Sequence, residues 1–293
     1  MLAAEIYGKI SLNNPPYQRM EDVLTSHVFS LFRYLKNLQL PTSFLREALN
    51  LRGEKLILND LVSAQVCFWP RFSFPCIGFR EPDALLLLED ISNGKVAAVI
   101  EAKYGSGLSN RGNNENDAEE DKEPSESFHY GHQLADEYCG VMCGLCNSGE
   151  EVQKELAQVN RKVLIFVTAH YEIPITDLEE AVDTIRKRAK SKCTGKGIDC
   201  WKSCKTAIYW VGWRNLYTLI NQHLVDYTGG ELSYIKDLQE ALELRNLQPF
   251  KKPFNNLFDV DEYERLFSNT PPKQYETRFW LHLIEPGKYD QLF

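Results

Sequence analysis

Glu101 and Lys103 stand two residues apart where an apolar run, VAAVI, gives way to EAK. Side chains at i and i+2 of a strand share a face, so this carboxylate and this ammonium point the same way. Asp83 opens the preceding run, DALLLLE, and ISNG joins the two runs as a hairpin. The loop length decides which way Asp83 faces. A two-residue Asn93–Gly94 turn pairs Ser92 with Lys95 and sends Asp83 away from Glu101. A three-residue loop, Ser92–Asn93–Gly94, pairs Ile91 with Lys95. Asp83 then lies opposite Lys103, and Glu101 opposite Leu85, all on one face. The three-residue loop is the expectation, because it wants glycine in its last, left-handed position and Gly94 stands there. In that register Asp83 and Glu101 are diagonal neighbours, with backbones roughly 7–8 Å apart.

Two acids brought together at a sheet end repel unless positive charge lies between them, and a divalent cation answers that need. Mg²⁺ takes oxygen ligands, usually one or two carboxylates, and keeps waters and substrate phosphate for the rest. Lys103 is placed to polarise water or to stabilise charge developing on phosphorus. Glu21 lies three residues before Leu24, so it extends the apolar stripe of a helix instead of its wet face. Gln133, beside Leu134, offers an amide to a phosphate, a base or a metal-bound water. Plainer readings stand beside these. Glu101 and Lys103 also suit a solvated strand end, Glu21 the positive end of its helix, and Gln133 an ordinary polar contact. His129 and His132 are expected at the surface, since hard Mg²⁺ does not favour imidazole.

The elements that must position these residues follow from the periodicity. Leu24, Val28, Leu31, Leu35 and Leu38 recur at alternating steps of four and three, one face of a helix that Pro41 is expected to end. A short helix, SFLREALNL, follows. Strands are expected at VSAQVCFW (62–69), at 83–89, at 95–103, at KVLIFVTAH (162–170) and at TAIYWVGW (206–213). Helices are expected around 128–146, over DLEEAVDTIRKRA, and over NLYTLINQHLV and ELSYIKDLQEALEL. That order predicts an α/β fold, a central sheet with helices on both faces.

Glu21 in an N-terminal helix, Pro82-Asp83 at a strand start, Glu101-Ala102-Lys103 at the next strand end and Gln133 in the following helix resemble the PD-(D/E)XK nuclease superfamily, which includes many restriction endonucleases. The resemblance runs from Glu21 through TAIYWVGWRNL, where a strand leads into Trp and a helix. It implies a restriction-endonuclease-like αβββαβ core with a mixed sheet and a helical C-terminal extension. It implies one nuclease domain over 1–293, with its core at about 16–225, a flexible acidic insert at about 105–127 and the extension at about 230–293. Asp83 and Glu101 would bind Mg²⁺ or Mn²⁺ with help from the Ala102 carbonyl, and Lys103 would assist the attacking water. Glu21 would be an accessory ligand or hold metal-bound water, and Gln133 would position substrate. The activity implied is hydrolysis of DNA phosphodiester bonds, with endonuclease action the expectation. The alternative is a catalytically silent nuclease fold that binds DNA or serves assembly. A homodimer or an accessory ATPase would fit such a fold equally.

Composition bounds the rest. The 293 residues are 43% hydrophobic, 25% charged and 12% aromatic, as in ordinary globular chains. No run is long enough for a membrane span, and the first residues lack a signal-peptide pattern, so a cytoplasmic location and reduced cysteines are expected. The net charge of −8 excludes a protein that coats nucleic acid along its whole surface. Charge is nonetheless segregated. NNENDAEEDKEPSES is acidic, while 186–205 is basic through Arg186, Lys187, Arg188, Lys190, Lys192, Lys196, Lys202 and Lys205. Read as a loop, that basic stretch could contact phosphates, with Trp201 available to stack on a base. Cys139, Cys143 and Cys146 fit a buried helical stripe. With Cys193, Cys200 and Cys204 they could hold zinc or an iron–sulfur cluster, but no repeated C-x₂-C pair is present, so the packing reading is preferred.

Overall fold

A strand buried on both faces must be covered by helices on both sides, and the sequence supplies two such strands. The computed structural model describes residues 16–74, 78–92, 94–104, 133–143, 145–146, 149–190 and 200–249. The acidic insert, His129, His132, Lys192, Lys196, Cys193 and everything after 249 lie outside them. So do the side chains of Lys190, Trp201, Cys143, Cys146 and Cys200. Contacts divide the chain into Met1–Pro249 and Phe250–Phe293, and the described residues all belong to the first unit.

In chain order the elements are α1 (Pro16–Phe29), α2 (Leu31–Tyr34), α3 (Gln39–Arg46), β1 (Leu49–Asn50), β2 (Leu61–Phe68), β3 (Phe72–Phe74), β4 (Gly78–Arg80), β5 (Ala84–Asp90) and β6 (Gly94–Lys103). There follow α4 (Gln133–Cys143), β7 (Leu145–Cys146), α5 (Glu150–Ala157), β8 (Arg161–Thr168), α6 (Ile175–Lys190), α7 (Cys200–Ala207), β9 (Ile208–Gly212), α8 (Trp213–His223) and α9 (Gly229–Glu243).

Six strands form one mixed sheet in the order β1-β9-β8-β6-β5-β2. β2, β5 and β6 are an antiparallel meander, β6, β8 and β9 run parallel, and β1 closes the far edge antiparallel to β9. Central β6 and β8 are apolar on both faces, as parallel strands between helices must be. Edge strand β2 is wetter. Alternation sorts β6 into two cores. Val96, Ala98, Ile100 and Ala102 pack with α1, α2, α3, α8 and α9 through Leu24, Val28, Phe44 and Trp213. Ala97 and Val99 pack on the other face with α4, α6 and α7 through Leu134, Tyr138, Leu178 and Cys204. Each fully buried Leu or Phe contributes roughly 1.5–3 kcal/mol. A small sheet, β4-β3-β7, was not expected from the sequence.

The hairpin register differs from the expected one by two residues. Glu89, not Ile91, pairs with Lys95, and the ladder closes at Asp90–Gly94. Asp90 causes the shift. Its carboxylate accepts the Ser92 N–H at 2.8 Å and the Asn59 N–H at 2.6 Å, which turns the chain one residue earlier than the glycine alone suggests. Gly94 does take the left-handed conformation, at φ +70°, and a Cβ there would meet Asn160 Oδ1 at 2.7 Å.

Several boundaries also move. The first helical stripe breaks at Ser30, and Pro41 sits in the first turn of α3, where a missing N–H costs nothing. The basic stretch is not simply a loop, because α6 runs through Lys190 and α7 begins at Cys200. Cys146 leaves the helical stripe and lies in β7 opposite Phe72. Residues 206–207 belong to α7, and Trp213 starts α8.

Helix α4 is fixed by a buried ion cluster. Asp136, fully buried, accepts from Arg80 Nε at 2.7 Å and also takes Arg188, tying α4 to β4 and α6. Removing one member strands the others without a partner in a poorly solvated place. Asp136→Ala is therefore expected to lower stability by about 3–5 kcal/mol in urea unfolding. A loss below about 1 kcal/mol would mean that the cluster does not hold α4.

Candidate active site

The Ala84–Ile100 pair makes Asp83 and Glu101 the next opposite residues of the ladder. They are directly opposed, not diagonal, and they share the face that carries Leu85 and Val99. The Asp83 backbone is held on both sides. Its N–H donates to Ile100 O at 3.1 Å, and its carbonyl accepts the Trp69 N–H at 2.9 Å. Its Oδ2 accepts the Ala102 N–H at 2.7 Å. Trp69 takes a positive φ of 48°, uncommon for a non-glycine residue, beside this anchor.

Both acids are buried, Asp83 at 9% exposure and Glu101 at 2%. Burial, then the Glu101 charge, push the Asp83 carboxyl well above the usual range. Lys103 and the Ala102 hydrogen bond offset this only in part. Lys103 Nζ sits 2.6 Å from Glu101 Oε1 and 3.2 Å from Glu21 Oε1. Burial pulls its ammonium down, but the charges of Glu101, Asp83 and Glu21 outweigh that, so its pKa stands above the ordinary lysine value. Glu21 comes from α1 and closes the end of β6, since its Oε2 accepts the Tyr104 N–H at 2.8 Å.

From α4, Gln133 Nε2 donates to Glu101 Oε1 at 2.5 Å and to Glu137 Oε1 at 3.0 Å. The five residues expected at the site, Glu21, Asp83, Glu101, Lys103 and Gln133, thus lie in one cluster. Glu137 belongs to it as well and was missed in the sequence. It is 2% exposed, and burial, then the Glu101 charge, push its carboxyl well above the usual range. The signal for it was its spacing, four residues after Gln133 and so on the same helical face. Tyr138 turns elsewhere and pairs its hydroxyl with Ser203 at 3.2 Å.

The donor set suits a hard divalent cation, being all oxygen, buried and richer in carboxylates than in cations. Asp83 and Glu101 are the pair best placed to hold one. Among the described residues no three His, Cys, Asp or Glu side chains converge at ligating distance. Lys103 Nζ stands between Glu101 and Glu21 and supplies the positive charge there.

The other sequence candidates fare differently. Arg188 is turned inward to Asp136, so its charge is spent on the fold and not offered to a phosphate. Arg186 lies 3.8 Å from Asp183 on α6. Lys187, Lys202 and Lys205 are exposed on α6 and α7. Cys139 of α4 and Cys204 of α7 are buried in the apolar layer and form no disulfide among the described residues. No helix among the described residues is long and apolar enough to cross a membrane. Comparison with protein-family models, curated proteins and solved structures finds no match to this chain.

The raised acids set a pH dependence. Asp83 and Glu137 bind a proton more tightly in the native chain than in the unfolded one. Their contribution to stability is therefore greatest below the ordinary carboxylate value of about 4 and is lost as pH rises through their raised values. In chelator, Asp83→Asn and Glu137→Gln are each expected to raise stability at pH 8 by roughly 1–2 kcal/mol in urea unfolding. Each is also expected to flatten the decline between pH 5 and 8. Variants less stable than wild type at pH 8 would contradict this electrostatic account.

Proposed function

We propose that the chain is a metal-dependent nuclease of the PD-(D/E)XK kind that hydrolyses phosphodiester bonds in DNA. The observation that carries this reading is the Asp83–Glu101 pair, opposed on adjacent strands and buried, with Lys103 Nζ 2.6 Å from Glu101. An aspartate, a glutamate and a lysine on one sheet face, at the carboxyl end of a parallel strand, suit phosphoryl chemistry at the position where open α/β sheets bind ligands.

A divalent ion such as Mg²⁺ or Mn²⁺, when bound, would supply Lewis acidity toward water and phosphate oxygens. Asp83 and Glu101 would hold it, with the Ala102 carbonyl in reach. Asp83 is pre-oriented by the Ala102 N–H, so little side-chain entropy is lost on binding. Lys103 gives the cluster an ammonium. Released from Glu101, it would stabilise negative charge on a phosphate or orient the attacking water. Gln133, hydrogen-bonded to Glu101, would exchange that bond for one to substrate. Glu21 is best read as a positioning residue, because it grips both Lys103 and the Tyr104 N–H.

Plasmid cleavage with Mg²⁺ or Mn²⁺ tests the reading. Wild type is expected to cut, and Asp83→Ala and Lys103→Ala each to slow cutting by about 100-fold or more. Equal activity in all three would place the chemistry elsewhere. A folded wild type that binds DNA without cutting would favour the silent DNA-binding module instead.

DNA approach is assigned to the exposed lysines of α6 and α7. Replacing Lys187, Lys202 and Lys205 together by Ala is expected to weaken binding evenly across sequences. The salt slope should fall by about one for each phosphate that is no longer neutralised. An unchanged slope in fluorescence anisotropy would assign the DNA path to another face.

A further inference from the structure

The loop that leaves β8 starts beside the acid cluster, yet the mechanism gives it no part. Thr168, the last residue of β8, pairs in register with Lys103 at the end of β6. Thr168 is itself anchored. Its Oγ1 accepts the Trp210 indole N–H at 2.8 Å and the His170 N–H at 3.2 Å. The second of these bonds turns the chain just past the strand end, as a hydroxyl bonded two residues on does. Tyr171 comes next. Three residues span at most about 11 Å and neighbouring strands lie about 5 Å apart, so the Tyr171 backbone stands within roughly 16 Å of that of Lys103.

Tyr171 is 58% exposed, yet its ring is held in place. The Arg214 guanidinium lies over it, 3.8 Å from the ring centre. Arg214, the second residue of α8, is fixed in turn. It donates to Ala169 O in the same loop, and to Asn246 O after α9 at 3.0 Å. Two backbone segments thus hold the cation, and the cation holds the ring. Packing does not ask for this aromatic, because Tyr171 belongs to neither apolar layer.

A pinned and exposed ring suits a flat partner, since little of its freedom remains to be lost on contact. The partner is a base and not a phosphate. Glu172, exposed beside the ring, repels phosphate, whereas a base offers a π-face without charge. Inside a duplex each base is covered by its stacked neighbours, so only an unstacked base can present that face.

We propose that Tyr171 is a nucleobase-stacking platform. It takes an unstacked base of a single-stranded segment, a few nucleotides from the phosphate held at the acid cluster. The substrate class it selects is DNA that is single-stranded, or locally opened, at the site. The inference rests on the nuclease reading for the position of that phosphate.

Fluorescence anisotropy of the full chain with Ca²⁺ as the cation tests it without requiring cleavage. The probes are a labelled single strand of about 16 nucleotides and a duplex of the same length. Wild type is expected to bind the single strand more tightly than the duplex. Tyr171→Ala and Tyr171→Leu should each weaken the single strand by about 10-fold and leave the duplex unchanged, while Tyr171→Phe keeps the wild-type affinity for both. Equal losses on both probes would make Tyr171 a structural part of its loop and overturn the platform. Unchanged single-strand affinity in Tyr171→Ala would overturn it as well. Plasmid cleavage by wild type keeps the nuclease reading alive in either case. The expected single-strand losses without plasmid cleavage would support the platform and sink the nuclease reading instead. A wild type that neither binds nor cuts would sink both.

Discussion

Buried negative charge in excess of positive charge is the constraint around which this fold is arranged. Glu21, Asp83, Glu101 and Glu137 converge on Lys103 from α1, the start of β5, the end of β6 and α4. Each charge removed from water costs several kcal/mol unless partners restore what the water supplied. Some of those partners are backbone amides. Asp83 takes the Ala102 N–H and Glu21 the Tyr104 N–H, so two acids are tied to alternate residues of one strand end. Lys103 and the Gln133 amide supply most of the rest. Acids still outnumber cations in the cluster, and burial holds the Asp83 and Glu137 carboxyls well above their usual range.

The remainder of the molecule makes that imbalance tolerable. β6 passes through the middle of the sheet with its even residues in one apolar layer and its odd residues in the other, up to Glu101. Two packed layers grip the strand, so its polar end cannot turn outward to find solvent. Trp213, fully buried at the start of α8, donates its indole N–H to the Lys103 carbonyl at 3.3 Å and holds the last residue of β6 from the far face. On the near face, Asp136 and its two arginines hold α4. A rigid frame thus surrounds the crowded buried acids and fixes their positions.

Some of this was legible residue by residue. Strand alternation alone put Glu101 and Lys103 on one face, and the apolar stripe brought Glu21 inward with Leu24. Gly94 announced a left-handed turn residue. The register was not legible, because it depends on Asp90 accepting from Asn59, which is distant in sequence, as well as from Ser92. The pairing still shifted by an even number of residues, so Asp83 kept its face while changing its partner. The inward turn of Arg188 was equally hidden, since a basic run reads as surface until the buried Asp136 is found opposite it.

The sequence by itself determined the sheet with helices on both faces, the strands at its centre and the shared face of the glutamate and lysine. These are local matters of periodicity and apolar run length, which each segment carries alone. Only the tertiary structure decided that Asp83 stands directly across from Glu101, that Glu21 closes the strand end, and that Glu137 joins them. Such contacts depend on where separate elements meet, and long-range electrostatics and packing, with no local pattern to announce them, settle that meeting.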